Sequence, residues 1–388
     1  LAALDHTEQS FDSIVVAGSV GKGTACLQLA SALHQSGLKV GLYTGPHLHT
    51  FRERFMVDST AIPYDSFIRG VTAVQQAEQN LADIYSTFER ATALALWWFR
   101  EQGVQHAVLE IGIGGRLDAV NAVPNRLAVL MPIEMEHAAM LGGSLTSIAS
   151  HKAGIIQPNG LALSVEQVAE VATVIRAEAR HPSRSASQTG ELEVCTRQQP
   201  AQDRAGIRRR VLPVHLPGRL EVIEQGSQSI VIDGAHTARS AEPHTARSAE
   251  RLRSFVDERF GNSASIRVIA GILRDKSPSA VLSPFDDPRF RIILTTAPGH
   301  RAIPADELKS SVKLSYASVE AVPPLEAAIA SMASAPEPVQ MVMGSLRMAA
   351  VARESLGLLS AEELAESQAT RELFEGEGYM GRLNTRRK

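Results

Sequence analysis

The chain alternates short apolar runs with longer stretches in which apolar residues recur every three or four positions. Residues 13–18 (SIVVAG), 38–44 (LKVGLYT), 106–112 (HAVLEIG) and 126–133 (RLAVLMPI) have the length and β-branched content of buried strands. After the first of them, Cys26, Leu29, Ala30 and Leu33 fall at i, i+3, i+4 and i+7, one face of a helix that Gly37 stops. Residues 89–102 place Ala91, Leu94, Ala95 and Trp98 on one stripe that ends at Gly103. Strands alternating with helices predict a mostly parallel sheet covered on both faces.

Between about residues 158 and 216 this pattern loosens into polar, turn-rich and charged stretches, which read as a linker with a small subdomain. A second alternating series follows: 229–232 (SIVI), 266–272 (IRVIAGI), 291–296 (RIILTT) and 339–343 (VQMVM). The expectation is two α/β domains, 1–215 with an irregular 158–215 segment and 216–388 with a Rossmann-like sheet. The charged stretch from about Ala361 predicts a terminal helix. HTARSAE occurs at 236–242 and again at 244–250, joined by Pro243. The second copy runs into Leu252, Phe255, Val256 and Phe260, a continuous helical stripe, so that copy is expected to be the packed helix and the first an exposed bulge.

The composition fits such a protein. Hydrophobic residues make up 44% and charged residues 21%, enough to bury full cores and unlike a disordered or coiled-coil chain. A net charge of −3 gives no broad basic field for nucleic acid. Cys26 and Cys195 stand far apart and make neither a disulfide framework nor a zinc cluster. The densest apolar run, 91–99, is too short for a membrane span, and the N-terminal residues lack a signal-peptide pattern. A cytoplasmic location with no membrane or nucleic-acid partner is expected.

Gly18-Ser19-Val20-Gly21-Lys22-Gly23-Thr24 carries the clearest chemistry, set between a predicted strand and an amphipathic helix. A glycine-rich turn there aims backbone N–H groups at a phosphate chain; Lys22 reaches the β/γ-phosphates and the Thr24 hydroxyl suits Mg²⁺. Glu110 ends the third predicted strand, where a parallel sheet forms its ligand crevice, and is a candidate Mg²⁺ ligand. By themselves, His137 reads as a structural hydrogen-bonding histidine and Lys152 as a solvated helix charge.

Further motifs extend along most of the chain: 43–54 (YTGPHLHTFRER), 88–95 (FERATALA), 109–121 (LEIGIGGRLDAVN), 136–149 (EHAAMLGGSLTSIA) and 152–156 (KAGII). In the second half come 216–223 (LPGRLEVI), 233–236 (DGAH), 274–276 (RDK) and 344–346 (GSL). With the G-S-V-G-K-G-T loop, these resemble the folylpolyglutamate synthase/dihydrofolate synthase family, a branch of the Mur ligase superfamily. The resemblance implies an N-terminal P-loop ATPase domain of the Mur ligase type and a C-terminal Rossmann-like ligase domain. It implies ATP contacts at Gly18, Ser19, Gly21, Lys22, Gly23 and Thr24, and metal contacts at Thr24, Glu110 and His137, with two Mg²⁺ sites. It further implies carbamoylation of Lys152, nucleotide or reacting-group contacts from Arg219, Asp233 and His236, and substrate handling by Arg54, Asp118 and Ser345.

The implied reaction is ATP-dependent addition of L-glutamate to a folate or pterin carboxylate through an acyl phosphate, with Lys22, Lys152, His137, Arg219 and His236 in catalytic roles. The alternatives are the same mechanism on a non-folate acid or amine, or a catalytically impaired nucleotide-binding relative. Departures from the family pattern motivate those alternatives. The family loop reads T-N-G-K-G-S, its serine before P-H-L is Gly45 here, the acid before His137 is Glu136 rather than Asp, and the asparagine after D-G-A-H is Thr237. No G-x-H-Q-x-x-N-A segment lies between Lys152 and Arg219.

Overall fold

A computed structural model describes residues 1–79, 81, 85–158, 160–180, 192–195, 217–234, 244–274 and 276–375. The chain divides into two compact units, Leu1–His47 with Phe51–Val214, and Leu48–Thr50 with His215–Lys388.

In the first unit the strands are β1 (Asp12–Ala17), β2 (Val40–Tyr43), β3 (Phe55–Val57), β4 (Thr60–Ala61), β5 (His106–Glu110), β6 (Leu127–Leu130), β7 (Leu161–Val165) and β8 (Leu192–Cys195). The helices are α1 (Lys22–Gln35), α2 (Tyr64–Glu78), α3 (Thr87–Glu101), α4 (Leu145–Ala153) and α5 (Ala169–Ala179). The sheet order is β4-β3-β2-β5-β1-β6-β7-β8, parallel except at β2–β3 and β3–β4. Consecutive residues of β1 face opposite cores. Val15 and Ala17 pack with α3 and α4 residues such as Leu94 and Ile148, while Val16 packs with Cys26 and Ala30 of α1. Two covered faces explain why β1 reads as an unbroken apolar run.

The stretch expected to be a linker with a subdomain is corrected in its described part: β7, α5 and β8 continue the first sheet. β7 is apolar at Leu161, Ala162, Leu163 and Val165 but buries only Ala162 and Ser164, and α5 buries only Val171 and Ile175. The periodicity that marks β1 or α3 is too sparse there to read.

The second unit carries β9 (Glu221–Gln225), β10 (Gln228–Asp233), β11 (Ile266–Ala270), β12 (Phe290–Leu294), β13 (Ser318–Ala321) and β14 (Val339–Met343). Its helices are α6 (His244–Phe260), α7 (Pro278–Leu282), α8 (Ala305–Ser311), α9 (Leu325–Ala330), α10 (Leu346–Ser355) and α11 (Ala361–Glu375). The order is β13-β12-β11-β14-β10-β9, with only β9 antiparallel among these pairs. Val231, Val268 and Met341 lie in one core with α6; Ile232, Ile269 and Val342 lie in the other with α9 and α10. The second HTARSAE copy opens α6, and Leu252 and Val256 are buried as its stripe predicts. The first copy lies outside the described residues. No described helix is long and apolar enough to cross a membrane.

Candidate phosphate-handling site

The order β5-β1-β6 sets three carboxyl ends side by side. Val16 pairs with Glu110 and Ala17 with Leu130, so the loop at residues 18–21 emerges between Glu110 and the segment after β6. Gly18 is required sterically: a Cβ there would stand 2.6 Å from Cβ of Met131. Ser19 locks the loop to that segment. Its Oγ donates to the Glu134 carbonyl (3.1 Å) and accepts from the Glu134 N–H (3.0 Å), while its own N–H donates to Pro132 (2.8 Å). Gly21, in left-handed conformation (φ 80°), caps α1 without any side-chain cap, leaving the helix N-terminus for an anion.

Two amines converge on this loop. Lys22 Nζ donates to the Gly18 carbonyl at 2.9 Å, and Lys152 Nζ donates to the same oxygen at 2.8 Å. Lys152 is not the solvated helix charge that its position alone suggested: it is 2% exposed. The helix carrying it is held by the 109–121 motif, where the Arg116 N–H donates to His151 (2.8 Å), Arg116 Nη2 donates to Ser150 (3.2 Å), and the guanidinium pairs with Glu178. Burial, then the nearby Lys22 charge, lower the Lys152 pKa to about 8 against the partial support of Glu136, whose Oε2 is 3.7 Å away. His137, with φ 52°, brings Nε2 to 3.4 Å from the other Glu136 oxygen. Lys152, Glu136 and His137 thus form one group beside the loop.

Glu110 is buried at the strand end, and Gly45 N–H donates to its Oε2 at 3.1 Å. Gly23 leaves room beside it, since a Cβ there would lie 3.5 Å from the same oxygen. Thr24 is exposed in the first turn of α1. Among the described residues no three or more His, Cys, Asp or Glu side chains form a metal cluster. Burial pushes the Cys26 thiol up, as befits a packing residue rather than a nucleophile.

Arg54 and Asp118 are placed differently. Arg54 Nε donates to His47 Nδ1 (3.0 Å), and its guanidinium lies 5.0 Å from the Phe51 ring centre. Burial lowers its pKa while Tyr43 and Glu110 oppose the shift. Asp118 accepts from three backbone N–H groups, Gly112 (3.0 Å), Ile113 (3.1 Å) and Val120 (3.0 Å). Burial raises its pKa against those bonds. Its carboxylate thus shapes the loop after β5.

In the second unit, Asp233 Oδ2 accepts from Leu220 N–H (2.7 Å), Gly234 N–H donates to Gly218 (2.6 Å), and Arg219 Nη1 donates to Gly234 (3.4 Å). The turn bearing Arg219 is therefore stitched to the end of β10. Ser345 caps α10, its Oγ accepting from Met348 N–H at 3.1 Å. His236 lies outside the described residues.

No family model matches the chain. The folylpolyglutamate synthase of Lacticaseibacillus casei is 30% identical, over 92% of this chain and 92% of that protein. The chain belongs to the folylpolyglutamate synthase/dihydrofolate synthase family. Solved structures share its fold, among them the two that follow. Folylpolyglutamate synthase from Thermotoga maritima superposes with a TM-score of 0.73 at 25% identity, covering 94% of this chain and 93% of that one. Escherichia coli FolC in complex with DHPP and ADP gives 0.72 at 25% identity, covering 92% and 91%.

Two departures from the family pattern acquire a physical reading. Val20 stands where the family loop has asparagine, and the loop is anchored here by the reciprocal Ser19–Glu134 bonds. At Gly45, where the family has serine, a Cβ would come within 2.9 Å of Arg54 Nη1, so the guanidinium packs where a side chain would begin. The sequence motifs gave no role to Glu136, Arg116 or His47, which hold Lys152, its helix and Arg54; each lies inside a quoted motif, and Glu136 and Arg116 act on residues of a different element.

Proposed function

We propose that this family member is an ATP-dependent ligase that joins L-glutamate to a folate or pterin carboxylate through an acyl phosphate. The observation that carries the reading is the convergence of Lys22 and Lys152 on the Gly18 carbonyl, at the uncapped N-terminus of α1 and in the loop flanked by Glu110. Loop N–H groups, a helix N-terminus and the Lys22 amine together favour a polyphosphate. Kinship supplies the substrates: the L. casei relative is a folylpolyglutamate synthase, and E. coli FolC binds ADP.

In this reading the acid's carboxylate attacks the γ-phosphorus and ADP departs. The glutamate amine then attacks the acyl-phosphate carbonyl, and phosphate leaves. Lys22 and the loop N–H groups offset charge on the transferring phosphoryl group. The hard oxygens of Thr24 and Glu110 fit Mg²⁺, which commonly takes one or two carboxylates and completes its shell with phosphate oxygens and water. When bound, that ion supplies positive charge to the β- and γ-phosphates. His137 and a carbamoylated Lys152 are the residues for a second metal site; a pKa of about 8 leaves a useful neutral fraction of the amine to capture CO₂.

Arg54 supplies a cation for a substrate carboxylate, and Asp118 acts by holding its loop. Arg219 and Asp233 are the second unit's nucleotide-handling residues, with His236 and Ser345 assigned to reacting groups and substrate by resemblance. Residues 1–215 then serve as the ATP-binding ligase domain and 216–388 as the second ligase domain, in a cytoplasmic enzyme.

The test is purified chain with ATP, Mg²⁺, L-glutamate and a panel of acids including a pteroate and a tetrahydrofolate. Phosphate release and the mass of the acid are followed together. The expected result is release coupled to gain of one glutamyl group; phosphate release without any glutamylated folate or pterin product would overturn the substrate assignment.

A further inference from the structure

A buried polar chain in the second unit ends on the residue before Arg219. It starts at His49, in the short Leu48–Thr50 segment that belongs to this unit. Arg353 of α10 donates from Nε to His49 Nε2 at 3.2 Å, which places the ring proton on Nδ1, 3.6 Å from Glu354 Oε1. The same Glu354 oxygen accepts from Ser367 Oγ of α11 at 2.6 Å. Arg353 Nη1 pairs with Glu221 Oε1. The other Glu221 oxygen accepts from Gly218 N–H at 2.8 Å. His49 and Glu221 are both buried, so each link sits where an unmade hydrogen bond is costly.

The turn at the far end needs such support. Gly218 (φ 68°) and Leu220 (φ 44°) flank Arg219 in left-handed conformations, and Leu220 carries a side chain that disfavours it. Asp233 holds the Leu220 N–H and Glu221 holds the Gly218 N–H, so Arg219 is fixed from both sides. Leu48 also packs on this turn, its methyls 3.2 and 3.3 Å from where a Gly218 Cβ would lie.

We propose that His49, Arg353 and Glu221 are positioning residues: the relay sets the turn at 217–220 and thereby aims Arg219 for nucleotide use. This rests on the assignment of Arg219 to nucleotide handling. A buried network serving only to lock α10 would stabilise the unit without affecting how ATP is used, and the two roles separate experimentally.

The experiment uses the full-length chain with His49→Leu, which keeps bulk but removes the acceptor, and His49→Gln, whose amide oxygen can accept from Arg353. Each is made alone and with Arg219→Ala. His49→Leu is expected to lower kcat/KM for ATP about tenfold, and less than twofold when Arg219 is already alanine, the non-additivity of residues acting through one another. His49→Gln is expected to restore most of the loss. Equal losses in both backgrounds, or a lower Tm with unchanged kinetics, would overturn the relay.

If Arg219→Ala leaves ATP use intact, the nucleotide assignment of Arg219 fails, and the aiming proposal fails with it. Amide exchange then shows how much of the relay survives as structure. Faster exchange at Gly218 and Leu220 in His49→Leu, with the rest of the sheet unchanged, supports a relay that orders the turn, and unaltered exchange there removes that as well.

Discussion

The glycine-rich loop after β1 in the first unit and the Arg219 turn of the second use charge in opposite ways. In the first, two lysines share one carbonyl oxygen, and the more buried of them has its pKa driven down to about 8. In the second, Arg353 meets Glu221, while Glu221 and Asp233 hold backbone N–H groups in place. Repulsion concentrated at the first site is relieved when an anion binds or when Lys152 becomes a carbamate, whereas the second network is complete as it stands. Stability and activity should therefore respond in opposite senses to mutation in the two places.

Lys22→Ala gives the largest expected effect. It removes preorganised positive charge from the transferring phosphoryl group and should lower kcat by about 10²–10³. Because the same substitution also removes one of two neighbouring amines, Tm should be unchanged or slightly higher. A variant with wild-type kcat would end the assignment of Lys22, and a large loss of stability would end the contrast drawn between the two units.

Lys152→Met sharpens the same contrast through pH. The folded pKa of about 8 lies below the ordinary lysine value near 10.4, so between those values the unfolded chain binds more protons than the folded one. Stability therefore rises with pH across that window, and the full penalty, about 3 kcal/mol, is present below pH 8. In CO₂-free buffer, wild-type stability relative to Lys152→Met should climb by up to that amount from pH 7 to 10.5. A flat difference would show the amine to be unperturbed. Activity should be lost in Lys152→Met, and in Lys152→Ala should return in part with added short carboxylates, which stand in for the carbamate.

The elements legible in the sequence are those whose side chains meet core on both faces or along a dense stripe. β1, β5, β6, β11, β12 and β14 are such strands, and α1 and α3 such helices. β4 and β13 are not legible, because short strands at a sheet edge bury few residues, and β13 buries none of its four; β7 lies inside its sheet but buries only Ala162 and Ser164. The site divides on similar lines. Gly18, Lys22 and Glu110 follow from local order, since a strand end fixes where they emerge. The burial of Lys152 does not, because it is created by Gly18 and Glu136, neither of them on its own helix. The relay through His49 lay wholly beyond sequence, for it joins residues 304 and 132 positions apart.

Ser345→Ala gives the smallest expected effect and decides a role that sequence and geometry assign differently. The resemblance makes Ser345 a substrate-handling residue, while its buried hydroxyl accepts the Met348 N–H as the cap of α10. Replacing such a cap by alanine costs about 1 kcal/mol, which for a unit of this size lowers Tm by a few degrees. If capping is the whole role, KM for every substrate should stay within about twofold of wild type, and Ser345→Asp, also a good cap, should recover the lost stability. If the hydroxyl also handles substrate, KM for glutamate or the acid should rise in both variants whatever happens to Tm. Because α10 also bears Arg353, frayed capping should reach the Arg219 turn only weakly, as a change in KM for ATP smaller than that of His49→Leu. An effect on ATP as large as the relay variant's would mean that the helix end, rather than the buried relay, sets that turn.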